Sequence, residues 1–183
     1  MRIKSAFTLL LAMTCMSLGC LSTPQTRYYT LDMNSSEHSE TTVNIHIDRI
    51  RVAEPLARKE VLIKKSPTEI EYYVQDQWAA NVSELVQEKL DEEFGLPQEG
   101  RQCVVLSGMV LAFEQKDIDG GAVGHVKLLM EFYKDRRDGE PLLKKTYNKA
   151  LPAASNNASG VVQAISECLE ALAVNIAADA ATL

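Results

Sequence analysis

Apolar and polar residues alternate from position 43 to position 48, with Val43, Ile45 and Ile47 set between Asn44, His46 and Asp48. A period of two marks a half-buried strand. Ala53, Glu54, Pro55 and Leu56 break that run, because proline has no N–H to offer a sheet ladder. A second β-type run over residues 59–65 closes at Ser66-Pro67, and residues 68–74 (TEIEYYV) read as the returning strand of a hairpin. At Trp78 the period lengthens to that of a helix, with Trp78, Val82, Leu85, Val86, Leu90 and Phe94 on one face. Asp76 is the expected N-cap, and Gly95 with Pro97 the expected stop.

The same logic extends to both sides of this stretch. Residues 27–32 (RYYTLD) read as a first strand, and the polar, aperiodic residues 34–42 as a loop that holds His38. Residues 103–114 (CVVLSGMVLAFE) are apolar on both faces, as suits a central strand covered on each side. Gly120-Gly121 makes a turn, after which Val126, Leu128, Met130 and Phe132 line one face of a strand over 122–134, opposite Lys127 and Glu131. Asp138-Gly139 signals a hairpin into a third strand over 140–151. A polar loop over 155–160 then caps a C-terminal helix with Ile165, Leu169, Leu172 and Ile176 on one face. Alanines 171, 173, 177 and 178 let that helix approach a sheet closely. The expectation is an α+β domain: a mostly antiparallel sheet of about six or seven strands, with two long helices packed on one face.

Composition adds a leader to this picture. Arg2 and Lys4 precede an apolar run from Ala6 to Met16, which ends in Ser17-Leu18-Gly19-Cys20. This is the layout of a secretory signal peptide rather than a transmembrane helix. A small residue directly before cysteine makes it a bacterial lipoprotein signal over residues 1–19, with Cys20 the lipidated residue. The competing reading is an ordinary signal peptide cut near Gly19, leaving Cys20 a free thiol. Residues 20–26 form a short lipid-anchored tether of roughly 20 Å at full extension, and residues 27–183 a single periplasmic domain. Leu21 rather than aspartate after the cysteine points to outer-membrane sorting.

The full chain of 183 residues carries 19 basic and 25 acidic side chains. Arg2 and Lys4 fall in the leader, which leaves 17 basic against 25 acidic, a formal charge of −8. That balance argues against nucleic acid as a partner, since phosphate binding draws on a basic patch.

Catalytic signatures are scarce. A nucleophile needs a neighbouring base, and the histidines are His38, His46 and His125 alone. No Gly-x-Ser-x-Gly, His-Glu-x-x-His or phosphate-cradling loop is present. Asp91, Glu92 and Glu93 are consecutive on a helix and fan out as a solvated end. Asp117 and Asp119 suit a turn better than calcium, which wants six or more oxygens. Neither an enzyme nor a cofactor is indicated, apart from the covalent diacylglycerol and N-acyl group that resemblance to bacterial lipoproteins implies on Cys20. Cys103 and Cys168 either bridge in an oxidising periplasm or stay as buried thiols. Tyr28, Tyr29, Tyr72 and Tyr73 suit sheet packing, and equally a partner or lipid surface.

The run IRVAEPLARKEVLIKKSPTEIEYYVQDQWAANVSELVQEKL (residues 50–90) resembles the ABC-type transport auxiliary lipoproteins. These are outer-membrane lipoproteins similar to paraquat-inducible protein C, which accompany mammalian-cell-entry (MCE) lipid-transport systems. The points of resemblance are Cys20 followed by Tyr28-Tyr29-x-Leu31, the Leu56-x-Arg58 turn, and Trp78. Ala79-Ala80-Asn81-Val82 replaces the family's usual Ala-Glu-Pro-Leu type sequence, so no role of that acidic residue carries over. The resemblance implies a non-enzymatic accessory subunit docking an MCE-domain periplasmic protein at the outer membrane and, through it, an inner-membrane transporter. Leu56 joins Tyr28, Tyr29, Tyr72 and Tyr73 as a candidate partner or lipid contact, and homo-oligomers stay open. The alternatives are a lipoprotein that scaffolds an envelope complex and a carrier of an apolar ligand.

Overall fold

A computed structural model describes residues 25–33, 42–118 and 120–183. Seven strands form one sheet: β1 (Arg27–Tyr29), β2 (Asn44–Val52), β3 (Glu60–Lys64), β4 (Ile70–Trp78), β5 (Cys103–Ile118), β6 (Gly121–Lys134) and β7 (Leu143–Pro152). Two helices accompany them, α1 (Val82–Phe94) and α2 (Ala158–Ala180). The sheet order is β1-β4-β3-β5-β6-β7, with β2 also paired to β5.

The α+β class holds, but the sheet is mixed rather than mostly antiparallel. β5–β6, β6–β7 and β3–β4 are antiparallel, whereas β1–β4, β2–β5 and β3–β5 are parallel. The cause lies at Pro55. The segment around it forms a single 3₁₀ turn, Glu54–Leu56, that interrupts the chain's course without reversing it. β2 and β3 therefore follow one another along the same edge of β5, against Cys103–Val110 and then Glu114–Lys116. Local hairpin signals could not show this, because the α1 crossover decides the direction in which β5 returns.

Trp78 corrects a second expectation. It ends β4 instead of opening a helix, with 1% of its surface exposed and its ring 5.0 Å from that of Phe113. α1 starts at Val82 with Asn81 as N-cap, not Asp76. Glu84 accepts from both the backbone N–H and the side-chain amide of Asn81, at 3.2 and 2.9 Å. Trp78 keeps apparent helical phase because strand end and helix point into the same core. Glu93, expected to be solvated, is buried at the end of α1.

Both helices feed one hydrophobic core with the sheet, so they share a face. Val82, Leu85, Val86 and Leu90 of α1 meet it, as do Val161, Ile165, Leu169, Leu172 and Ile176 of α2. Each such side chain contributes about 1.5–3 kcal/mol on full burial. Gly124 sets how closely α2 sits: a Cβ there would lie 2.7 Å from that of Ala164 and 2.8 Å from the backbone nitrogen of Ile165. Asn157 caps α2 by accepting from the Gly160 N–H.

Candidate functional site

The first strand, three residues long, is fastened to the sheet edge by a buried acid. Asp76 of β4 is 3% exposed. Its carboxylate takes Arg27 Nε at 2.7 Å and Nη2 at 2.9 Å, and accepts the Tyr29 hydroxyl at 2.9 Å. Burial, then the bond to Asp76, pushes the Tyr29 phenol above its ordinary value. Asp76, read from sequence as a helix cap, is thus the clamp that holds β1. Just after β1, the Asp32 N–H donates to Ser166 Oγ of α2. A cleft of about 260 Å³ opens there, lined by Tyr29, Thr30 and Asp32 on one side and Ser159, Gln163 and Glu167 on the other.

A second polar chain leads from β4 to the ends of β3 and β5. Tyr73 donates to Gln115 Oε1 at 2.6 Å, Gln115 Nε2 to Asp117 at 2.6 Å, and Lys65 Nζ to Asp117 at 2.9 Å. Gln115 and then Lys65 hold the Asp117 carboxyl below its usual range. Burial raises the Tyr73 phenol, helped by the charges of Asp76 and Asp117. Asp117 is therefore a tie between strands rather than a cation ligand.

The remaining contact candidates separate into packing and surface. Leu56 is buried in the core. Tyr72 donates to the carbonyl of Pro55 at 2.9 Å, and Arg58 lies 4.3 Å over its ring. The Leu56-x-Arg58 motif thus locks the 3₁₀ turn onto β4. Tyr28 stands apart, 66% exposed on β1. Cys103 and Cys168 are free thiols that the structure does not bring together. Cys103 begins β5, while Cys168 touches the carbonyl of Gly124, which pairs with Gln115 near the far end of the same strand. Cys20, His38, Asp119 and tether residues 21–24 lie outside the described residues.

Sequence reading missed a buried polar cluster on the sheet face away from the helices. His125 Nδ1 lies 3.2 Å from Glu114 Oε1, and its Nε2 lies 2.7 Å from Asn148 Oδ1 and 3.4 Å from Lys116 Nζ. The register of β5, β6 and β7 assembles it, placing Glu114, His125 and Ala150 side by side. The only sequence hint was a histidine inside an apolar strand. Among the described residues no three histidine, cysteine or acidic side chains gather as a metal site.

These features define a mixed-sheet α+β domain whose first strand is pinned to a sheet edge. The sequence model of the ABC-type transport auxiliary lipoprotein component family matches residues 29–177, and the chain belongs to that family. Among solved structures, a Xanthomonas campestris protein of family DUF330 is similar, with a TM-score of 0.70 at 13% identity. That match covers 82% of this chain and 92% of the other. A second structure, of an uncharacterized protein, aligns with a TM-score of 0.63 at 15% identity, over 85% of this chain and 99% of its own. At such identities the likeness is one of fold. No curated protein matches the sequence significantly.

Proposed function

We propose that this chain is a non-enzymatic, outer-membrane lipoprotein anchored through Cys20 on the periplasmic side. It serves as accessory subunit of an ABC/MCE-type lipid-transport system and docks an MCE-domain protein at the membrane. The observation that carries this reading is the Arg27–Asp76–Tyr29 clamp. It starts the rigid body seven residues after Cys20, within about 23 Å of extended chain. A domain held so close to its anchor suits a docking subunit, whose surface must stay at a set height. A ligand carrier would need free travel and an internal cavity. Here the sheet–helix interface is filled by Val126, Leu128, Met130, Phe132, Ile165 and Leu169, each buried to 1% exposure or less.

Two acyl chains or more on Cys20 give stable attachment, since each buried methylene contributes about 0.8 kcal/mol. Replacing Cys20 with alanine is expected to abolish palmitate labelling and to release the protein from the membrane fraction. A wild type that never labels, with a Cys20→Ala variant still membrane-bound, would overturn the anchor. Co-purification of the wild type with an MCE-domain protein and its permease tests the partner.

A further inference from the structure

The parallel pairing of β3 with β5 puts Lys64 directly beside Lys116. Ile70 of β4 flanks Lys64 in the same register, and Val123 of β6 flanks Lys116. Residues in register across neighbouring strands share a face, so these four form one row on the side away from the helices. Ile118, 49% exposed, stands two residues past Lys116 on that same face. Like charges side by side on a sheet are destabilising. Yet Lys64 makes no ion pair among the described residues, and the near neighbour of the Lys116 ammonium is a ring nitrogen of His125. Among the described residues, the neighbouring strand acids are used elsewhere: Asp117 and Glu71 hold Lys65, and Glu114 meets His125. Glu69 lies in the turn that joins β3 to β4. A cleft of about 460 Å³ opens at this corner, bordered by Lys64, Lys65, Lys116, Pro67 and Ile118, and by Asp117, whose carboxylate is held by Lys65.

The polarity of β1 aims the anchor at the same corner. β1 runs parallel to β4 with Arg27 opposite Asp76, so the chain before Arg27 leaves toward Ile70. From Asp76 back to Ile70 is about 20 Å of strand, and the seven-residue step from Arg27 to Cys20 reaches about 23 Å. The acyl chains can therefore enter a bilayer level with the lysine pair and the two exposed isoleucines.

We propose that this corner is a membrane seat: Lys64 and Lys116 bind headgroup phosphates of the leaflet that holds the Cys20 lipid, while Ile70 and Ile118 dip into its interface. The proposal rests on Cys20 being the anchor. It adds an orientation, with the β3–β4 and β5–β6 turns facing the membrane and the opposite end, where α1 runs into β5, turned to the periplasm. The chain is acidic as a whole, so an anionic leaflet repels most of its surface and attracts this corner. Each cation at an anionic surface is worth about fivefold in the seated-to-free ratio, and the pair about thirtyfold.

The full lipidated chain, carrying Ile118→Trp or, at the opposite end, Leu96→Trp, is reconstituted into vesicles with brominated acyl chains. Trp78 is buried and gives both variants the same background. In phosphatidylglycerol–phosphatidylethanolamine vesicles the reporter at 118 is expected to be quenched several-fold more than the one at 96. That excess is lost in phosphatidylcholine and in Lys64→Ser/Lys116→Ser, and retained in Lys64→Arg/Lys116→Arg, whose thermal melts check that folding is intact. Equal quenching at 118 and 96 in floated vesicles overturns the seat alone. Quenching at 118 that ignores lipid charge and both lysines overturns the phosphate contact. A reporter shielded only as protein concentration rises makes the corner a contact between copies instead. A chain that fails to float with the vesicles overturns the anchor, and the seat with it.

Discussion

Arg27 and Asp76 face each other across the β1–β4 pair with two short contacts, yet their surroundings differ. The carboxylate is buried, whereas the arginine side chain is 61% exposed. The acid is thus the fixed half of the clamp, and the strand that carries the arginine is the half that can leave. Asp76→Asn keeps the shape and removes the charge. It is expected to cost about 1–2 kcal/mol, at the low end for charge-assisted bonds because the arginine is solvated. Hydrogen exchange is expected to rise at residues 27–29 and to stay unchanged in β5 and β6. Uniform loss of protection would show that β1 is integral to the core.

Trp78→Ala is expected to cost about 3–5 kcal/mol in urea melts, the range for deleting a large buried ring. Its face against Phe113 closes the junction of β4, α1 and β5. A loss below about 1 kcal/mol, the range of surface substitutions, would contradict that burial.

The two thiols report on the sheet ends. Both are shifted toward the protonated form by burial, Cys168 to about 11. In the folded protein at neutral pH an aromatic disulfide reagent is expected to label Cys103 slowly and to spare Cys168. In denaturant both are expected to react. Neither reacting without prior reduction would mean that they are bridged.

Stability should fall at both ends of the pH scale. Asp117, Glu131 and Glu60 titrate below the ordinary carboxylate range, through Gln115 and Lys65, through Lys144, and through a backbone N–H and Arg58. A depressed folded pKa adds stability that is full above the unfolded value, about 4–4.5, and is lost as pH drops through the folded one. Tyr147 is shifted the other way, by burial and by the hydrogen bond its hydroxyl donates to Asp179. Its contribution is full below about pH 10 and is lost as pH rises further. Urea midpoints are expected to plateau between these limbs. Asp117→Asn with Glu131→Gln should flatten the acid limb, and Tyr147→Phe the alkaline one.

Local pattern carried the strands and helices but not their partners. The period-two run at Val43, the glycine turn at Gly120 and the apolar stripe through Ile165 each depend on neighbours in sequence, and each is where it was expected. Trp78 and Asp76 misled because a strand end feeding a helix keeps the spacing of a helix. The parallel pairing of β2 and β3 with β5 depends on the crossover through α1, which no short window contains. The Lys64–Lys116 pair and the His125 cluster are products of that register, so neither could be seen before it was known. The tyrosines, left between packing and contact by the sequence, divide in the structure: Tyr29, Tyr72 and Tyr73 are tied down by hydroxyl bonds, and Tyr28 is exposed.

Anchor length separates a docking subunit from a tethered scaffold that needs no fixed height. Inserting about 30 flexible Gly/Ser residues after Thr26 gives a linker with a root-mean-square span of roughly 30 Å. The insertion precedes Arg27, so the clamp, the core and the melting curve are expected to be unchanged. Palmitate labelling and membrane fractionation are also expected to persist, because Cys20 and its leader are intact. The domain would then sample heights well beyond the natural tether, and its effective concentration at a membrane-bound partner would fall. Envelope integrity in a strain lacking the natural protein is therefore expected to be restored only in part, while pull-down of the partner from detergent extracts stays normal. Full restoration would show that height is irrelevant, and the scaffold reading would replace docking.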